Sequence, residues 1–248
     1  MSSAKRLRKY ICNAIVSASA SSKNRSTNNS GKIDSELDNI FALYLEEKDD
    51  SYTSDFYDGD NDDNVTPLMV ACDKCCYEAL CYLQKQMRAS TNQKEDNLTP
   101  KAMPLEHLVD AWGHPTEASS CGNSASHHAL AAGFVIGLDA LENLWGSLED
   151  ESPNSDCLHR YISLLSQTNQ NGDTPLMMAC VSGHSATIKH ILEHSLEMGL
   201  DSNNVHASVD KIRLSLTDVF SMRNNEECTA LNLACGHGHA DIVKFFVQ

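Results

Sequence analysis

One short phrase returns four times along this chain, and such a recurrence narrows the available folds more than any composition does. Its fullest form is Gly172-Asp173-Thr174-Pro175-Leu176-Met177-Met178-Ala179-Cys180-Val181-Ser182-Gly183-His184. Thr174 stands where a helix N-cap belongs, and Pro175 follows at the first helical position, where its missing N–H costs nothing. Gly183 stops that short helix, and Ile188, Ile191 and Leu192 mark a second one at helical spacing. A turn and two short helices cannot bury their own apolar faces, so the unit requires neighbours of its own kind.

The chain supplies them. Thr229-Ala230-Leu231-Asn232-Leu233-Ala234-Cys235 leads to Gly238 and His239, with Ile242, Val243, Phe245 and Phe246 behind. Thr66-Pro67-Leu68-Met69-Val70-Ala71-Cys72 precedes Leu80 and Leu83, and a degraded copy, Ser124-Ala125-Ser126-His127-His128-Ala129, runs to Gly133, Leu138 and Leu141. The Ala keeps its place after the Thr/Ser in all four copies: Ala71, Ala129, Ala179 and Ala234. A Gly closes three of the first helices, and Cys75 replaces it in the first copy. Two positions before each Thr/Ser stand Asn64, Gly122, Gly172 and Glu227, where a tight turn is expected.

On these residues the chain resembles the ankyrin repeat, whose signature is T-P-L-H-x-A. The resemblance implies an all-α fold, an ankyrin-type helix–turn–helix repeat solenoid. The repeats are expected at 61–87, 121–146, 169–200 and 223–248, the last one truncated. Successive Thr/Ser positions are 58, 50 and 55 residues apart, against about 33 for the family. The surplus is helical in pattern: Leu105, Leu108, Val109 and Trp112 form one stripe, Leu158, Tyr161, Ile162 and Leu165 a second, Ile212, Leu216, Val219 and Phe220 a third. Each second helix is therefore expected to be lengthened or followed by another, with Met87–Thr99 and Ser202–Ser208 projecting as loops.

The resemblance also implies a partner protein gripped on a concave surface made by the first helices and turn tips. Its variable first-helix positions are Val70 and Lys74, His128 and Ala132, Met178 and Ser182, Leu233 and His237. Met, Leu and His there suit an adaptable, partly apolar contact. His127 occupies the signature His, and His184 and His239 follow the closing Gly, so all three are expected to be structural.

Ahead of the repeats, residues 1–32 hold seven Lys/Arg and no Asp or Glu, a basic Ser/Asn-rich leader expected to be disordered. Lys5-Arg6-Leu7-Arg8-Lys9 fits a nuclear-import cluster, and the segment also has features of a secretory signal and an organellar transit peptide. Residues 33–60 hold a capping helix, Ser35–Lys48, with Leu37, Ile40, Phe41 and Tyr44 on one face and Ser35 as its N-cap, then an acidic loop. Asp58-x-Asp60-x-Asp62 in that loop lacks the Gly and Glu of a calcium-binding EF-hand.

Charge and cysteines bound the function. Beyond residue 32 the chain carries 12 Lys/Arg against 34 Asp/Glu, a net of −22. That balance disfavours nucleic acid, whose phosphates need clustered cations. It favours a protein partner with a basic face. No apolar run is long enough for a membrane span. Cys72, Cys180 and Cys235 share the position after the signature Ala and read as small core residues in a reducing compartment, cytoplasmic or nuclear.

No phosphate loop, nucleophile elbow or dinucleotide fingerprint occurs, so neither catalysis nor a cofactor is expected. Cys72-x-x-Cys75-Cys76 with Cys81, His237-x-His239, and His190 with His194 on one helical face are the metal or redox candidates. Structural roles are expected for them, and a Cys/His metal or redox protein is the alternative. A further alternative is the N-terminal regulatory part of a larger enzyme or ubiquitin-ligase-type adaptor, since Ile242, Val243, Phe246 and Val247 leave the last helix apolar where a solenoid wants a polar cap.

Overall fold

Four helices of seven or eight residues, each begun on a side-chain hydroxyl, set the frame of the molecule. The computed structural model describes residues 3–22, 30–45, 64–91, 105–148, 157–200 and 216–247. In chain order the helices are α1 (Ser3–Ser22), α2 (Ser30–Leu45), α3 (Pro67–Asp73), α4 (Tyr77–Thr91), α5 (Leu105–Trp112), α6 (Ala125–Ala131), α7 (Val135–Leu148), α8 (Cys157–Ser166), α9 (Pro175–Ser182), α10 (Ser185–Leu200), α11 (216–221), α12 (Ala230–Gly236) and α13 (Ala240–Val247). Among the described residues the only β pairing is an isolated bridge between Ala118 and Ser124.

The first helices are α3, α6, α9 and α12, and they begin as the sequence predicts. Thr66, Thr174 and Thr229 are N-caps whose hydroxyls accept the N–H of Met69, Met177 and Asn232. In return, the cap's own N–H is taken by Met69 Sδ, Met177 Sδ and Asn232 Oδ1, which closes a reciprocal box. The four helices pack side by side, α3 on α6, α6 on α9 and α9 on α12. Behind them runs a second row, in which α4 meets α7, α7 meets α10 and α10 meets α13. One apolar core threads both rows, from Leu68 and Met69 through Leu130 and Leu138 to Leu176, Ile188 and Ile242.

The long spacers carry helices where they are described. The second helices α4, α7 and α10 run to 15, 14 and 16 residues, and an extra helix follows each. α5 packs on α4, and α8 packs on α7, α9 and α10. The predicted stripes face inward: Leu108 and Trp112 on α5, Leu158, Tyr161 and Leu165 on α8, and Leu216 and Val219 on α11 are all buried. α7 and α8 are also joined by a buried ion pair, Arg160 Nη2 to Glu142 Oε1 at 3.0 Å. Of the expected loop Met87–Thr99, residues 87–91 instead belong to α4, and 92–99, with 202–208, Ile212, Asp58, Asp60 and Asp62, lie outside the described residues.

The N-terminal segment departs from expectation. The basic leader is not disordered over Ser3–Ser22: it forms α1, with Leu7, Ile11, Ala14 and Ile15 buried at helical spacing. α1 packs on α3 and α5, and α2 packs on α4, so the pair opens the stack as a helix–helix unit without the signature. The basic cluster is partly consumed by this packing. Leu7 is buried, while Arg8 forks onto the Glu117 carboxylate at 2.8 and 3.2 Å and donates to the Asp110 carbonyl. α2 begins at Ser30, so Ser35 is an exposed residue inside the helix and not its N-cap.

Neighbouring repeats are latched by a histidine seated on a glycine. His184 Nε2 donates to the Ala131 carbonyl and His239 Nε2 to the Val181 carbonyl, each at 3.0 Å, reaching back to the preceding first helix. The rings lie against Gly133 and Gly183, where an added Cβ would fall 2.7 and 2.5 Å from ring atoms. Both glycines also have positive φ, 70° and 80°. Glycine is thus required twice over, for the turn and for the seat. Gly238 has the same backbone, φ 77°, but nothing lies within 4 Å of its Cβ position.

This contrast yields a prediction. Gly238→Ala should cost only the left-handed backbone, about 1–2 kcal/mol. Gly183→Ala should cost at least about 1 kcal/mol more, because the ring must move. Gly183→Ala should cost much less in a His239→Ala background, a non-additivity read by denaturant unfolding of the wild type, the two single variants and the double, with Gly238→Ala alongside.

Candidate protein-interaction surface

The turns ahead of the first helices are built from a periodic amide ladder. Asn64, Gly122, Gly172 and Glu227 all have positive φ (48°, 82°, 75° and 60°), so the four predicted tight-turn positions are left-handed. Five residues before Thr174 and Thr229 stand Asn169 and Asn224. Asn169 Oδ1 accepts the N–H groups of Asn171 and Asp173, and Asn224 Oδ1 accepts those of Glu226 and Cys228. Their amide nitrogens cross to the preceding turn, Asn169 Nδ2 to Asn123 Oδ1 at 2.9 Å and Asn224 Nδ2 to Asp173 Oδ1 at 2.7 Å. Backbone bonds run alongside, Gln170 N to the Cys121 carbonyl and Asn225 N to the Asn171 carbonyl. The second, third and fourth turn tips are therefore a single hydrogen-bonded rim. The sequence reading missed this ladder, although the repeated Asn was there to be seen.

His127 joins rim and helix. Its Nδ1 accepts the Ser124 N–H at 3.1 Å, and Nε2 faces the Asp173 carbonyl at 3.0 Å, so the neutral Nε2–H tautomer satisfies both. Burial, opposed by the hydrogen bond to the Asp173 carbonyl and aided by neighbouring His128, pushes its pKa down to about 4. The expected structural role is what the geometry shows.

Along the first-helix row the expected contact residues divide by exposure. Lys74, Ser182 and His237 are exposed, while His128, Ala132, Met178 and Leu233 are partly covered. Leu233 also packs on the core. Val70 is only 4% exposed and offers no surface. Lys74 and His128 are brought together by a residue the sequence reading passed over. Asp73 Oδ1 lies 3.9 Å from His128 Nδ1, and Asp73 Oδ2 lies 2.8 Å from Lys74 Nζ. The His128 ring first, then Lys74, holds the Asp73 carboxyl well below the usual carboxylate range. His128 Nε2 is buried with no hydrogen-bond partner among the described residues. His237 stacks on His239, with centroids 6.3 Å apart.

The cysteine motif does not converge on a centre. Cys72 is fully buried, Cys75 is exposed, and Cys76 Sγ faces Glu78 at 3.9 Å. Burial pushes the Cys72 thiol up and takes Cys76 to about 11 and Cys180 to about 12, away from the thiolate that redox or metal chemistry needs. Cys235, at the same repeat position as Cys72 and Cys180, is exposed.

A family model for ankyrin repeats, three copies, matches residues 105–248, more than half of the chain. The chain belongs to the ankyrin-repeat family. The matched span holds the second, third and fourth signatures, and α3 with α4 repeats the same cap and helix pair ahead of it. No curated protein matches the sequence. Ankyrin repeats are in general protein–protein interaction modules and typically non-catalytic.

The buried histidine sets a pH limit on this surface. A depressed pKa means the unfolded chain binds the proton more tightly. The His127 contribution is therefore whole above about 6.5 and is lost as pH falls toward about 4, up to about 3 kcal/mol in all. His127→Met, the residue the first and third repeats use there, should flatten the loss of stability between pH 7 and 4.5, as measured by urea unfolding at each pH.

Proposed function

We propose that this chain is a non-catalytic interaction module whose partner protein seats across Lys74, His128, Ala132, Met178, Ser182, Leu233 and His237. One observation carries the reading: half-covered Met178 and Leu233 lie beside exposed Ser182 and His237 on adjacent helices. That mixture of adaptable apolar centre and polar edge is what protein contacts use. The cluster of Asp73, Lys74 and His128 extends the same row toward α3.

The net charge of −15 steers a partner with a basic face and works against nucleic acid. Among the described residues no helix is long and apolar enough to cross a membrane. Cysteines used as buried apolar residues, Cys72 and Cys180, suit the reducing cytoplasm or nucleus.

The test is affinity capture from cell extract with quantitative mass spectrometry. It compares the wild type with Ser182→Arg/His237→Glu and with Ser147→Arg, an exposed change on the second-helix row. Circular dichroism confirms that each variant is folded. A partner reduced at least about tenfold by the first-helix variant and retained by Ser147→Arg fits the surface, since central contacts are worth more than about 1.4 kcal/mol. Equal capture by all three proteins overturns it.

A further inference from the structure

His190 and His194 lie four residues apart on α10, and their rings stack with centroids 5.4 Å apart and 9° between planes. Across from them on α7 is Asp139, a residue that no sequence pattern links to either. Asp139 Oδ2 lies 2.8 Å from His190 Nε2, and Asp139 Oδ1 lies 3.6 Å from His194 Nε2. One atom from each of the three falls within 4.8 Å of the other two. Ligands about 2.0–2.1 Å from a tetrahedral zinc stand about 3.3 Å from one another. The two Asp–His separations, one from each carboxylate oxygen, lie on either side of that edge.

Two further observations point to a missing occupant. Asp139 Oδ1 is buried and accepts no hydrogen bond among the described residues. Tyr161, from α8, sets its ring edge-on to His194 at 5.2 Å, and its buried hydroxyl also has no partner there. Polar atoms buried in this way are normally satisfied, by protein, water or an ion. The three side chains remain 22–30% exposed, so the site is open to solution.

We propose that Asp139, His190 and His194 bind a zinc-class divalent cation, with a fourth position open to water, and tie the second helix of one repeat to that of the next. Two imidazoles select zinc, cobalt, nickel or copper over magnesium and calcium, which prefer an all-oxygen shell. Paired histidines one helical turn apart with a carboxylate from another element make an ordinary zinc donor set. Because the ligands come from α7 and α10, metal would bind the folded stack and not the unfolded chain, and so would stabilise it.

Cobalt(II) is the probe, with the full chain as purified under reducing conditions. The wild type is expected to bind one equivalent and show the visible band of nitrogen/oxygen tetrahedral coordination, without thiolate-to-cobalt charge transfer, and to release the cobalt to one equivalent of zinc. His194→Gln, which leaves the His190–Asp139 pair in place, should lose at least about tenfold in affinity with an unchanged circular dichroism spectrum. His190→Gln and Asp139→Asn should lose as much, and Cys75→Ser should lose nothing. A thiolate charge-transfer band, equal affinity in His194→Gln, or no stoichiometric binding by the wild type overturns the proposal and leaves an inter-helix hydrogen bond.

Discussion

A helix of seven or eight residues is too short to persist alone in water, and this molecule rests on four of them. What sustains them is packing against neighbouring repeats, and at α6 the cap itself is joined to the turn of the next repeat. Ser124 gives its N–H to His127, whose far nitrogen donates to the carbonyl of Asp173, and the Asp173 carboxylate then accepts from Asn224. Three repeats are thereby crossed by one run of hydrogen bonds. Local helix formation and long-range stacking are consequently the same event, as expected where each repeat interacts mainly with its neighbours.

The same linkage explains why sequence position alone does not determine burial. Cys72, Cys180 and Cys235 are equivalent in the repeat, yet the first two are fully buried and the third is exposed. Cys180 sits on α9 between α6 and α12, whereas the one first helix packed on α12 is α9. An apolar thiol acquires its environment from the repeats on either side of it.

Much of the fold was legible because short-range chemistry leaves short-range marks: Thr-Pro for a helix start, Gly for its stop, and a turn residue two places before each cap. The inserted helices showed in Leu108/Trp112 and Tyr161/Leu165, whose spacing survives without any signature. α1 was obscured by composition, since Ser, Asn and basic residues around Leu7, Ile11 and Ile15 hid a sound helical stripe. The error propagated to Val70, on a helix that α1 and α6 flank. Asp139 was illegible for a different reason. Its relation to His190 spans 51 residues and exists only after two second helices have packed together.

The histidine seats also restrict how the chain could have been assembled. Gly133 receives His184 and Gly183 receives His239, but the first repeat has Cys75 at the seat, and the residue equivalent to the incoming His is Phe134. A repeat carrying histidine could not follow the first one without meeting the Cys75 side chain, and the second repeat brings no ring nitrogen to a glycine seat. The first junction thus differs from the two that follow, which share one glycine–histidine design, so the repeats are not freely interchangeable. Order is written into the contacts at the start of the stack: deleting the second repeat would set His184 against Cys75 where it now has Gly133.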